Sequence, residues 1–175
     1  MTIDVHEARP SEYAEAGSVT AAAYREFVRP NDPSWEDYLA RIADIGSRAD
    51  RATILVATKD GRVLGSATLE LDGRIDESDP PLLREEAHLR MLGVDPSARR
   101  LGVARTLMEA CLSRATESGK TLMTLNTTKR MQAAQRMYES LGFVRGEDRV
   151  FPDGFVLLTY SMRIAPREEP SPATR

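Results

Sequence analysis

A single cysteine, Cys111, excludes an internal disulfide and any zinc site built from cysteines. The two histidines, His6 and His88, lie far apart in sequence, so no metal constellation is expected. No apolar run is long enough for a membrane span, and the N-terminus carries no signal-peptide pattern. A soluble cytoplasmic protein is the default expectation. The formal net charge of −3 leaves no overall basic footprint for nucleic acid, and aromatics are not interleaved with the basic residues. No repeat or linker divides the chain. What is present is 41% hydrophobic residues over 175, enough for one domain with a full core, expected over 1–165. The tail "PREEPSPATR", 166–175, is proline-rich and polar and is expected to be disordered.

Hydrophobic periodicity gives the elements. "TIDVHEA" alternates as a short strand. Ser11 reads as the N-cap of a helix through Ala14, Val19, Ala22 and Ala23 to Phe27. "RPNDP" breaks the chain, and Ser34 reads as the cap of a second helix with Trp35, Tyr38, Leu39, Ile42 and Ile45 on one face. Two apolar runs around Asp60-Gly61 read as a hairpin. A strand over Ala87–Val94 stops near Pro96, a helix over 101–118 follows, and Gly119 closes it. "TLMTLNT" is a strand, "KRMQAAQRMYESLG" a helix, and "FVRGEDRVF" with "DGFVLLTYSMRI" a final pair of strands. The strand–helix–strand unit at 87–127 implies a locally parallel pair, and the hairpins on either side add antiparallel strands. The fold class is therefore α+β, a mixed sheet covered by helices.

One stretch sits badly with helix physics. "RRLGVARTLM", Arg99–Met108, opens a helix with arginines at 99, 100 and 105, although a helix N-terminus carries partial positive charge. It also holds Gly102, which lowers helix stability by roughly 1 kcal/mol relative to alanine. The cluster lies where a strand turns into a helix. There, free backbone N–H groups bind phosphate oxygens and a glycine lets the backbone approach them. A bound pyrophosphate accounts for the arginines and the glycine together. The plainer alternative is a solvated basic helix start with Ser97 as N-cap. The stretch is neither G-x-x-x-x-G-K-[ST] nor G-x-G-x-x-G.

The stretch does resemble the central motif of the GNAT superfamily, the Gcn5-related N-acetyltransferases. The pattern [Q/R]-x-x-G-x-[G/A] reads here Arg99-x-x-Gly102-x-Ala104, and "AAQRMYESLGF", Ala133–Phe143, resembles the later block A-x-x-x-Y-x-x-x-G-F. The resemblance covers about 3–164. It implies the GNAT fold: a mostly antiparallel sheet whose parallel strand pair splays apart, flanked by helices. It implies acetyl-CoA or another acyl-CoA as donor, an amine acceptor that is a small molecule or a peptide, and no metal. Its pantetheine arm would lie in the splay near Leu92, Gly93 and Val94. Its pyrophosphate would meet Arg100, Leu101, Gly102, Val103 and Ala104, with Arg99 and Arg105 as added charge. Asn126 and Ala134 complete the donor set. Met131 stands where many members carry an asparagine. A homodimer is common in the family. The acceptor pocket falls to the parts without a motif, near Glu26–Ile45 and Gly146–Phe155.

The same resemblance makes Tyr138 the acid that protonates the leaving thiolate, and an amide near Leu92 the oxyanion donor. Spacing alone reads Tyr138 as a core residue on the stripe with Ala134 and Leu141. A period of two puts Glu86, His88, Arg90 and Leu92 on one strand face. Glu86 or His88 is the candidate base for the acceptor ammonium, and exposed edge residues are the alternative. Cys111, at helical spacing with Leu107 and Ala115, reads as core. The acidic loop Asp72–Asp79 reads as solvated or as a lure for a cationic acceptor. The expected function is an N-acetyltransferase working by direct attack in a ternary complex. The alternative is a non-catalytic acyl-CoA-binding regulatory module.

Overall fold

The computed structural model describes residues 2–166. The tail expected to be disordered lies, from residue 167 on, outside the described residues. In chain order the elements are β1 (Asp4–Glu7), α1 (Tyr13–Arg25), α2 (Pro33–Ala43), β2 (Thr53–Lys59), β3 (Arg62–Glu70), β4 (Glu86–Val94), α3 (Val103–Glu117), β5 (Leu122–Thr127), α4 (Gln132–Leu141), β6 (Val144–Arg145), β7 (Arg149–Val150) and β8 (Val156–Arg163). Short 3-10 turns at Pro10–Glu12 and Pro96–Ala98 precede α1 and α3.

The strands form one mixed sheet in the order β1-β2-β3-β4-β5-β8-β6, with β7 on β8. Among the described residues only the β4–β5 pair is parallel. The β2–β3 hairpin turns through Asp60 and Gly61, both at positive φ, as a two-residue turn requires. Both faces of the sheet are covered, as the alternation along β2 records. Leu55 and Ala57 join the core under α3, with Leu107, Met108, Cys111 and Ala115. Ile54 and Val56 pack on the opposite side with Ala16 of α1 and Ile45. Backbone meets backbone closely there. A Cβ on Gly93 would stand 2.9 Å from a Thr20 methyl and 3.1 Å from its Cα, so only glycine lets α1 lie this near β4.

Several expected boundaries move, each for a local reason. Ser11 lies inside the first 3-10 turn, where the Glu12 carboxylate instead accepts the Arg9 N–H at 2.8 Å and contacts His6 Nε2 at 3.0 Å. α2 is capped by Asp32, whose Oδ1 accepts from Ser34 N at 3.1 Å, with Pro33 in the first turn. Ser97 is no cap of α3. Its N–H and hydroxyl both donate to Asp95 Oδ1 at 2.8 Å, and α3 begins two residues later than expected, after Gly102. "FVRGEDRVF" is not one strand but two, β6 and β7, each two residues long.

Candidate active site

The loop before α3 is built to leave donors free. Arg100 and Gly102 both sit at positive φ, +64° and +80°. This conformation turns the chain into α3 with Gly102 as a left-handed N-cap. No backbone N–H from Arg100 to Arg105 has a hydrogen-bond partner among the described residues. A Cβ on Gly102 would meet no protein atom within 4 Å, so the space above these amides is open. The three arginines differ. Arg99 pairs with Glu26 at the end of α1, its Nη1 donating at 3.1 Å. Arg105 Nη2 donates to Ser140 on α4 at 2.8 Å. Neither Arg100 nor Arg105 makes an ion pair among the described residues.

β4 and β5 pair only from Glu86 to Leu89, opposite Leu122 to Leu125. Beyond Leu89 they part, while β5 stays bonded to β8 through Asn126 and Thr127. A bulge opens the wedge. Met91 adopts φ +51°, and the β3–β4 register shifts between Ser66 and Thr68. The bulge also overturns the expected common face of Glu86, His88, Arg90 and Leu92. Met91 packs with Ala21, Leu39 and Ile42 on the α1–α2 side, and Leu92 and Val94 rest on the α3-side core with Ala87 and Leu89. A left-handed residue flips the alternation, so Leu92 turns away from His88.

A cavity of about 390 Å³ opens beside the wedge. It lies between the ends of α1 and α2, the acidic loop, β4 from His88 to Met91, Asn126 and Met131, and the β7–β8 turn. Tyr24, Trp35, Tyr38, Phe151 and Phe155 line it, five of the ten aromatic residues of the chain. Several of its charges are already paired. Asp79 accepts from Arg90 at 2.5 Å and Arg149 at 2.9 Å. Burial raises the Asp79 carboxyl, but these two guanidiniums outweigh that and hold it below the usual range. Asp76 serves the Ser78 N–H and hydroxyl and lies 3.8 Å from Arg41. The acidic loop is thus neither a bare solvated loop nor an unpaired lure. It is tied to the sheet, with Glu70, fully buried, accepting from Arg74 at 2.9 Å and from the Ile75 N–H at 2.7 Å.

Glu86 and His88 are not exposed edge residues. β4 is central, and they are 8% and 4% exposed. The Thr124 hydroxyl donates to Glu86 Oε1 at 2.5 Å, and His88 Nδ1 lies 2.7 Å from the same hydroxyl. His88 lines the cavity; Glu86 does not. Burial, then Arg74 and Arg90, lowers the His88 pKa to about 3, so the ring is neutral. Sequence reasoning missed Thr124. Its signal was the parallel pairing, which sets His88 beside Thr124.

Tyr138 lies on α4 at 6% exposure, its ring against Phe143 and Tyr160. Burial and the nearby Cys111 raise its pKa, so it holds its proton. Its hydroxyl has no partner among the described residues, and no fully enclosed side-chain polar atom there lacks one, so the hydroxyl reaches open space. The phenol of Tyr24, on the cavity wall, is raised by burial and then by Tyr38 and Tyr138. Ala134 packs on the core one turn before Tyr138. Cys111 is fully buried and its thiol is pushed up to about 12, which fits a core residue and not a nucleophile.

Comparison with known proteins gives one answer. The chain is 32% identical over 118 residues to the mycothiol acetyltransferase of Thermomonospora curvata, covering 66% of this chain and 36% of that protein. It thus spans little more than a third of that relative's length. The ribosomal-protein-S18-alanine N-acetyltransferase of Escherichia coli superposes with a TM-score of 0.68 at 20% identity, over 96% of this chain and 97% of that one. The protein yncA of Salmonella typhimurium, solved with its cofactor acetyl-CoA, gives a TM-score of 0.68 at 18% identity, over 99% of this chain and all of that one. At these identities the two structures share the fold. Among the described residues no helix is long and apolar enough to cross a membrane. The model of the "Acetyltransferase (GNAT) family" matches residues 19–143, which takes in both motif blocks, the wedge and α3, and the chain belongs to that family.

Proposed function

We propose that the chain is an acyl-CoA-dependent N-acetyltransferase that moves an acetyl group from acetyl-CoA to a primary amine while both substrates are bound. One observation carries this reading. A row of unpartnered amides under open space, from Arg100 to Arg105, stands at one end of a wedge whose other end meets an aromatic-lined cavity. A diphosphate fits the amides of Leu101 to Arg105, with Arg100 as its mobile counter-charge. The unpaired edges of β4 and β5 at Leu92, Gly93, Val94 and Asn126 suit an amide-bearing arm, with Ala134 and Met131 as its lining.

Acetyl-CoA, when bound, supplies a thioester carbonyl to attack and a thiolate that departs. The residues supply the rest. The Leu92 amide, beside the bulge, donates to the developing oxyanion. Tyr138, held protonated by its burial, protonates the departing sulfur and is reprotonated by the second proton that the nitrogen sheds as the amide forms. Glu86 and His88 take the acceptor's proton. The acceptor, a small molecule or an exposed peptide amine, enters the aromatic cavity. Because the cavity's carboxylates already hold arginines or backbone donors, an apolar body on the amine suits it better than a chain of further charges.

The test follows free thiol from acetyl-CoA with 2-phenylethylamine, spermidine and an N-terminal peptide amine. Amine-dependent release, fastest with 2-phenylethylamine, is expected. Tyr138→Phe should lower kcat by about 10²-fold while the Kd for acetyl-CoA stays the same, since the proton is needed only as sulfur leaves. Acetyl-CoA binding with no thiol release for any amine would instead make the chain an acyl-CoA-binding regulatory module.

A further inference from the structure

The inference rests on the cavity being the acceptor's site. An amine there is protonated near neutral pH and must lose a proton before it attacks. Each carboxylate on the cavity wall already accepts at least one hydrogen bond. Asp79 holds Arg90 and Arg149, Asp76 holds Ser78, Asp32 caps Ser34, and Asp153 accepts the Phe155 N–H at 2.9 Å. Glu86 does not reach the cavity. His88 does, and its protonation pattern is fixed by counting hydrogens. The Thr124 hydroxyl has one hydrogen and gives it to the Glu86 carboxylate at 2.5 Å. Thr124 can then only accept from His88, so the 2.7 Å contact is Nδ1–H donating to Oγ1. That leaves Nε2 as a bare lone pair. Nε2 has no partner among the described residues, and no fully enclosed polar atom there is unpartnered, so it opens on the cavity.

We propose that Thr124 is a positioning residue that holds His88 as the Nδ1–H tautomer and completes a proton relay from the cavity to Glu86. An N–H bond of the ammonium breaks as Nε2–H forms. The Nδ1–H proton passes to Thr124 Oγ1, and the Thr124 proton passes to Glu86 Oε1. The products are a neutral amine, a neutral imidazole in its other tautomer, an unchanged threonine and a neutral carboxylic acid. Charge balances and no imidazolium forms. This matters because Arg74, after β3, and Arg90, on β4, face the ring and oppose a cation there. The opposing charges are Glu70, which stands across from His88 on β3 and pairs with both arginines, and Asp79 from the acidic loop; Tyr24 and Tyr38 from α1 and α2 line the same cavity. When product leaves and water fills the cavity, the same chain runs backward and restores the resting tautomer.

The test combines spectroscopy with a conservative pair of variants. In protein labelled with 15N-histidine, His88 should show a protonated Nδ1 and a bare Nε2, and Thr124→Val should abolish that fixed pattern. With acetyl-CoA and the fastest amine of the panel, Thr124→Val should lose about 10²-fold in kcat/KM and its limb toward high pH should follow the amine's own pKa. Thr124→Ser should restore both the rate and the tautomer. A wild-type His88 protonated on Nε2 overturns the relay, even if Thr124→Val does not fold. So does a folded Thr124→Val with wild-type rate and pH profile. Absence of thiol release from wild type with every amine overturns the acetyltransferase reading itself, which separates the two failures.

Discussion

His88 and Cys111 are both buried and titratable, and their neighbours give them opposite uses. Cys111 sits among Leu107, Met108 and Ala115 with no polar contact, and helical spacing alone announces it as core. His88 faces a hydroxyl on one nitrogen and a cavity on the other. Its burial was not legible, because alternating polar residues look alike on a central strand and an edge strand. The difference has a thermodynamic consequence. The unfolded chain takes up a proton at this histidine near pH 6.5, while the folded chain resists until about 3. Between these values the unfolded state binds more protons, so stability falls as pH falls, by up to about 1.4 kcal/mol per pH unit. Denaturant titrations from pH 7 to 4 should show a shallower fall for His88→Gln than for wild type. Parallel curves would mean that the ring accepts a proton in the folded state.

At the scale of elements, the loop into α3 was the most legible part of the chain and the bulge in β4 the least. Arginines and a glycine at a helix start violate a local rule, and such violations mark functional backbone. The sequence still misplaced the helix start and treated the arginines as equivalent. Only the fold shows that Arg99 pairs with Glu26, just past α1, while Arg105 donates to the Ser140 hydroxyl on α4. Nothing in "LRMLGV" marks Met91 as left-handed, so the face of Leu92 was unreadable. Gly102 invites a two-variant experiment. Valine at its φ of +80° strains the backbone, by roughly 1–2 kcal/mol for a left-handed residue, whereas asparagine tolerates that region. Both add a Cβ into space no protein atom fills. Both should therefore weaken CoA binding by about tenfold or more, 1.4 kcal/mol, with only valine lowering the melting temperature clearly. An asparagine variant with wild-type affinity would show that bulk over the amides is no obstacle to CoA.

Across the whole molecule, the parallel pair β4–β5 divides the labour. The α3 loop opens at one end of the wedge, and the aromatic cavity lies beside it under α1, α2 and the β7–β8 turn. The first has a sequence signature because the phosphate binding proposed for it demands particular residues at fixed spacing. The second was readable only as a region, since its walls come from segments far apart in sequence: Tyr24, Trp35, Asp79 and Phe155 meet only in three dimensions. The most direct measurement is a titration of 15N-labelled protein followed by amide correlation spectra, with CoA in one series and pantetheine, which lacks the diphosphate, in the other. CoA should shift the amides of Leu101 to Arg105 together with Leu92 to Val94, and pantetheine only the latter set. CoA that leaves the Leu101–Arg105 amides unmoved would contradict the account.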